Sequence, residues 1–98
     1  MKKFLLEKYL KQYINDYVED GTFAINEFDT SNSLIEASAM LKGERKNLSV
    51  SIGYKKTKNG IKIISIESNR EWINIILDQY SDFWHVEIEL PSAVMMLI

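Results

Sequence analysis

Residues 47–67 of this chain read NLSVSIGYKKTKNGIKIISIE and predict a β-hairpin. From Leu48 to Tyr54 apolar side chains alternate with polar ones, which is typical of an antiparallel strand with one buried and one solvated face. Asn59 and Gly60 then predict a type I′ turn, because both residues tolerate a positive φ. The returning strand is expected at 61–67.

The segments before the hairpin predict one helix and two strands, at 4–20, 22–28 and 34–41. The helix is amphipathic and is expected to end at Gly21, a residue that suits the position after a helix. The pattern at 33–36 also matches a helix-capping box, so a helix over the third segment is the alternative. A strand is favoured there because hairpins follow it.

The segments after the hairpin predict a helix and a last strand. Ser68 and Glu71 form a second capping-box pattern before a helix at 69–80. The apolar side of this helix is expected to consist of Trp72, Ile73, Ile76, Leu77 and Tyr80. Alternation returns at 83–90. The tail at 92–98 is apolar and contains no charged side chain. It is expected to dock on the core of its own chain, with a subunit interface as the alternative.

Together these elements predict a single α+β domain over residues 1–98. The order α-β-β-β-β-α-β indicates an antiparallel β-meander sheet with two helices packed on one face, because each helix has one apolar stripe to bury. A length of 98 residues suits one domain.

The residue content argues against an enzyme. There is no cysteine, His85 is the only histidine, and the four glycines are too scattered to form a phosphate-binding loop. No catalytic set, metal site or cofactor site is therefore expected. No apolar stretch approaches the roughly 20 residues that cross a membrane, and the apolar run near the N-terminus is too short for a signal peptide. A cytoplasmic protein is expected, and abundant Lys, Ile, Asn and Ser suggest a bacterial or phage origin.

Charge is segregated along the chain. Residues 42–62 contain seven bases and one acid, whereas residues 63–98 contain six acids and one base. The sequence leaves open whether the two regions share a face of the fold. It also leaves open the oligomeric state and the existence of an internal pocket.

The favoured functional hypothesis is a small non-enzymatic protein-binding domain. It would be an inhibitor or immunity-type protein that neutralises a basic, toxin-like protein through an aromatic anchor in acidic surroundings. The alternation of 83–90 places Phe83, His85, Glu87 and Glu89 on the solvated face. The expected partner-binding residues are Glu71, Asp78, Phe83, His85, Glu87 and Glu89.

Two alternatives use other parts of the chain. Nucleic acid could bind the basic hairpin 42–62, whose candidate residues are Arg45, Lys46, Lys55, Lys56, Lys58 and Lys62. A structural or chaperone-like homodimer could instead form through the apolar C-terminus.

Overall fold

The computed structural model describes residues 7–8, 10–43, 46–84, 87–96 and 98, and the side chains of residues 83 and 84 lie outside this description. Five strands are present in the described part of the chain: β1 Ala24–Asp29, β2 Leu34–Met40, β3 Asn47–Lys56, β4 Gly60–Ser68 and β5 Glu87–Glu89. The helices with defined bounds are the 3₁₀ turn Asn15–Tyr17, α1 Glu71–Gln79, α2 Ser81–Trp84 and α3 Ser92–Met95.

The strands form one antiparallel sheet in the order β1-β2-β3-β4-β5, so the predicted meander is confirmed. The ambiguous segment 34–41 is a strand, as favoured. Its side chains at Ile35, Ala37 and Ala39 are buried while their neighbours are not, and Ala37 lies opposite Val50 of β3. A strand therefore buries apolar side chains that face the same side of the sheet as those of β3.

One face of the sheet carries the core. It is covered by the N-terminal segment, residues 10–18, and by α1, which supplies Ile73 and Leu77. The other core side chains at most 1% exposed are Ile14, Ile35, Leu41, Leu48, Ile52, Ile61 and Ile63. Each such side chain stabilises the fold by about 1.5–3 kcal/mol through burial. The N-terminal segment and α1 therefore pack on the same face of the sheet and form one helical layer, as predicted.

The opposite side of the sheet, called here the open face, is mostly polar, and Ile64 of β4 is an exception with 55% of its surface exposed. Strand alternation places the following side chains on it: Glu27, Glu36, Ser38, Ser49, Ser51, Lys55, Lys62, Glu67, Glu87 and Glu89. The hydroxyl of Ser51 donates to a carboxylate oxygen of Glu36 at 2.7 Å.

The N-terminal helix ends earlier than the prediction of 4–20. Glu7, Lys8, Leu10 and Lys11 are helical, but the chain tightens into the 3₁₀ turn and Val18 then forms an antiparallel bridge with Leu41. The amide of Glu19 donates to the carbonyl of Met40 at 2.7 Å, so pairing with the end of β2 replaces the last helical turn. Gly21 has a φ of 75°, yet it serves the turn after this bridge and not the helix end.

The edge of the sheet at β1 receives a side chain from the N-terminal helix. The carboxylate of Glu7 accepts a hydrogen bond from the amide of Ile25, in β1. A strand edge otherwise presents backbone groups that can pair with another chain, and here one of them is already satisfied by a charged residue.

The predicted type I′ turn at Asn59 and Gly60 is wrong. The amide of Thr57 donates to the carbonyl of Gly60 at 2.9 Å, so Lys58 and Asn59 are the central residues of the turn. Neither has a positive φ. Gly60 instead belongs to β4, where it lies opposite Glu89, and a Cβ there would overlap the carbonyl oxygen of Ile88. The glycine is required by the close approach of β5.

The predicted strand 83–90 is wrong over its first residues. Residues Ser81–Trp84 form α2, and only Glu87–Glu89 form β5. Phe83 is therefore helical and not part of an alternating strand. The physical reason is the route of the chain, which must return from the helical layer to the sheet edge after α1 ends at Gln79. Pairing then restores a strand where Glu87 meets Lys62.

The helix start at Ser68 is also displaced. Helix α1 begins at Glu71 with Arg70 as its N-cap, and Arg70 makes no side-chain capping bond. Ser68 remains in β4, where its amide donates to Oδ1 of Asn74 at 2.7 Å and its carbonyl accepts from Nδ2 of Asn74 at 3.2 Å. The side-chain amide of Asn74 thus bonds both backbone groups of Ser68, the last residue of β4.

The C-terminal tail docks on its own chain, as expected. Val94 of α3 is 0% exposed, and Ile98 packs against the core. Met96 is the exception, with 86% of its surface exposed. Among the described residues, no helix combines the length and the apolar character that crossing a membrane requires.

We expect Gly60→Ala to lower the free energy of unfolding by about 2 kcal/mol, because the added methyl group must displace the backbone of β5. Chemical denaturation measures the loss, and amide exchange should show that protection of β5 falls first. Gly53→Ala is the matched control. Its Cβ would meet Oγ of Ser65 at 2.5 Å, a side-chain atom that can rotate away, so we expect a smaller loss. Equal losses of unfolding free energy in both variants would contradict the conclusion that the close approach of β5 requires a glycine at position 60.

The turn between β1 and β2 contains a perturbed carboxyl. The backbone amide and the side-chain amide of Asn32 donate to Asp29, at 3.2 and 2.9 Å. These bonds, the side-chain bond foremost, hold the pKa of Asp29 below its ordinary value. A lowered folded-state pKa contributes stability above the ordinary pKa of an aspartate, and this contribution is lost as the pH falls through the folded-state value.

We expect Asn32→Ala to raise the pKa of Asp29 towards its ordinary value, since the main donor is removed. An NMR titration of the Asp29 carboxyl carbon measures the change. Thr30→Ala, in the same exposed turn, serves as the control and should leave the pKa in place. An unchanged pKa in Asn32→Ala would show that the backbone donors alone set it.

Candidate protein-binding surface

The predicted acidic surface is divided between two sides of the fold. Glu71 and Asp78 lie on α1, in the helical layer, and both are exposed. Glu87 and Glu89 lie on β5, and the partly buried Ile88 between them packs against the core. The two glutamates therefore point to the open face. His85 and the side chain of Phe83 lie outside the described residues.

Acidic and basic residues meet on the open face. Glu87 lies directly opposite Lys62, and Lys62 lies opposite Lys55 on the next strand. Opposite residues of an antiparallel pair have their Cβ atoms about 4.5–5.5 Å apart, so these charges are close neighbours. The segregation of charge along the sequence is therefore not kept in space at this end of the sheet.

The predicted nucleic-acid residues are spread along β3. Lys46 precedes the strand and Lys56 ends it, and ten residues of strand span about 30 Å. Lys58 occupies the turn, and Arg45 lies outside the described residues. The ring of Tyr54 is only 4% exposed, and burial raises the pKa of its hydroxyl. This hairpin therefore has no exposed ring on which a base could stack.

Helix α1 carries exposed apolar side chains between its two carboxylates. Trp72 is 39% exposed and Ile75 is 54% exposed, and a spacing of three residues makes them neighbours on the helix surface. Glu71 lies four residues before Ile75, and Asp78 lies three residues after it. We call these four residues, Glu71, Trp72, Ile75 and Asp78, the α1 surface.

Aromatic contacts border the α1 surface and fix the helix against the N-terminal segment. Tyr17 meets Trp72 edge to face, with ring centroids 5.6 Å apart and planes at 79°. Tyr13 contacts Tyr80 with centroids 5.4 Å apart. Aromatic pairs of this kind contribute about 0.5–1.5 kcal/mol each beyond area burial. Tyr17 and Tyr80 remain 39% and 40% exposed, so they extend the aromatic border into solvent.

The sequence pattern places Trp72 and Tyr80 in the core stripe of the helix, and the structure corrects this. Ile73 and Leu77 form the buried stripe, whereas the two aromatic rings lie at the rim of the helical layer. Ile75 is a further surface residue that the pattern left unassigned. Its signal in the sequence is an isoleucine between two acids at helical spacing, on the side opposite Ile73.

No cluster of three or more His, Asp or Glu side chains that could hold a metal ion occurs within the described part of the chain. Comparison with models of known protein families, with curated proteins and with solved structures found no match for this chain.

Two isoleucines of α1 differ in burial, because Ile73 lies in the core and Ile75 lies on the surface. We expect Ile73→Ala to lower the free energy of unfolding by about 3 kcal/mol, because Ile73 is 0% exposed and its loss leaves a cavity. Ile75→Ala removes the same atoms two residues away and should cost under about 0.5 kcal/mol. Urea denaturation compares the two variants. A large loss for Ile75→Ala would show that its side chain belongs to the core.

Proposed function

We propose that this chain is a non-enzymatic protein-binding domain, and more narrowly an immunity-type inhibitor that binds and neutralises a basic, toxin-like protein. The observation that carries the proposal is the α1 surface, where exposed Trp72 and Ile75 lie between the carboxylates of Glu71 and Asp78. Binding and blocking another protein need no reactive group on this chain.

The apolar part of the α1 surface supports protein binding. Tryptophan and tyrosine are enriched among the residues that dominate binding energy at interfaces, and they act best near the centre of a desolvated patch. Trp72 is held in place by Tyr17, so less side-chain freedom remains to be lost on binding. Burying the exposed part of Ile75 against a partner adds a favourable hydrophobic term.

The charged part supports a basic partner. Glu71 and Asp78 are both exposed on the rim of the apolar patch. Charges in that position steer association and disfavour acidic partners, and their effect weakens as salt screens them. A complex with a basic protein should therefore form more slowly at high salt, while the apolar contacts retain most of the affinity.

The alternatives have less support from the described residues. Nucleic-acid binding by the hairpin is opposed by Glu87, which lies beside Lys62, and by the burial of Tyr54. Within the described part of the tail, Met96 is the large apolar side chain exposed for a homodimer, because Val94 and Ile98 pack within their own chain.

Affinity capture with matched variants tests the proposal. The tagged protein is incubated with lysate of the cells that make it, at two salt concentrations and with nuclease, and bound proteins are identified by mass spectrometry. We expect one stoichiometric basic protein with the wild type. Glu71→Lys with Asp78→Lys should reduce its recovery at least tenfold, and Ile75→Ser should also reduce it.

The control carries the same change of charge on the open face, as Glu27→Lys with Glu67→Lys, and should capture the partner normally. Equal loss in both double variants would show that net charge, and not the α1 surface, governs recovery. Recovery that disappears with nuclease would instead favour nucleic acid and contradict the proposal. Circular dichroism confirms that each variant is folded.

A further inference from the structure

A shallow groove of about 690 Å³ lies at the hairpin end of the sheet. One wall is the β3–β4 hairpin, with Lys56, Lys58 and Asn59. The other wall is the end of β5 and helix α3, with Glu89, Leu90, Ser92 and Met95. None of these residues belongs to the α1 surface, so the groove is a separate feature of the molecule.

The two walls are joined at several points, which makes the groove a formed site. The amide of Leu90 donates to the carbonyl of Asn59 at 3.0 Å, and Nζ of Lys56 donates to the backbone oxygen of Ile98 at 3.2 Å. Gly60 brings β5 against the hairpin with no space for a side chain. A ligand therefore meets walls that are already in place, which lowers the entropy cost of binding.

The lining combines apolar and cationic groups. Leu90 and Met95 are partly exposed and supply an apolar floor, while Lys56 and Lys58 are exposed and supply two ammonium groups. Ser92 and Asn59 offer hydrogen-bonding groups suited to a peptide backbone. Among the described lining residues Glu89 is the one acid, so their side chains carry a net charge of +1, from two lysines and one glutamate.

We propose that this groove binds an acidic peptide segment of another protein, one in which acidic and apolar side chains alternate. The carboxylates of such a segment pair with Lys56 and Lys58, and its apolar side chains cover Leu90 and Met95. Methionine adapts its shape to different apolar side chains, which suits the floor of a peptide groove.

The lining distinguishes this occupant from other anions. A free phosphate would use the two lysines and leave Leu90 and Met95 uncovered. A nucleic-acid strand would need rings on which to stack its bases, and the described lining residues include no aromatic side chain. The acidic and apolar peptide is the occupant that uses both kinds of lining.

The test uses a fluorescein-labelled, end-capped peptide of sequence Glu-Leu-Glu-Leu-Glu-Leu, with fluorescence anisotropy and the full-length protein. We expect saturable binding that weakens about tenfold in Lys58→Glu, since one favourable charge becomes repulsive. Lys46→Glu is the matched control, about 30 Å away at the other end of β3, and should change the dissociation constant less than twofold. Met95→Gln, which keeps the size of the side chain, should also weaken binding.

Peptide variants and amide spectra decide between outcomes. A peptide with serine in place of leucine should bind at least tenfold more weakly, and shifts in the ¹H–¹⁵N spectrum should centre on Lys58, Leu90 and Met95. Equal binding of the serine peptide, or equal loss in Lys46→Glu, would show simple charge attraction and overturn the proposal. So would an absence of peptide binding at millimolar concentration, or preferential binding of a twelve-residue oligothymidine. Lys58→Gln replaces Lys58→Glu if the latter fails to fold.

Discussion

The single apolar face of the meander sheet is the constraint on which the rest of the structure depends. Its buried side chains lie on four consecutive strands, and the N-terminal segment, α1 and the C-terminal tail cover them. The sheet cannot be stable with that face in water, because burial supplies the dominant favourable term in folding. The N-terminal segment and α1 therefore both pack on that face, and the opposite face of the sheet stays mostly polar.

The same constraint determines which surfaces can contact a partner. Helix α1 buries Ile73 and Leu77, so its outward side must present Glu71, Ile75 and Asp78. Strand β5 turns Ile88 towards the core, so its glutamates must point to the open face, beside Lys62. An acidic half of the sequence thus becomes two acidic regions that face opposite sides.

Periodicity predicted the sheet well and the local geometry less well. Strict alternation from Leu48 to Tyr54 identified β3 within its observed bounds, because a strand buried on one face must alternate. The predicted type I′ turn at Asn59 was wrong because a glycine can occur for either of two reasons. One is a positive φ, and the other is the close approach of another backbone. Sequence spacing cannot distinguish them when the approaching strand, β5, lies far along the chain. The sequence placed Trp72 in the core because the apolar stripe of a helix does not show which of its residues lie at the rim of the helical layer.

The bond between Glu7 and the amide of Ile25 has a consequence for how the molecule behaves in a crowded cell. Strand β1 is an outer strand, and its protection comes from a side chain on the N-terminal helix. When that helix detaches, one step removes the cover of the core and exposes a strand ready for intermolecular β-pairing. Resistance to aggregation is thereby coupled to the docking of the N-terminal helix, and any partner that holds this helix in place also slows misassembly.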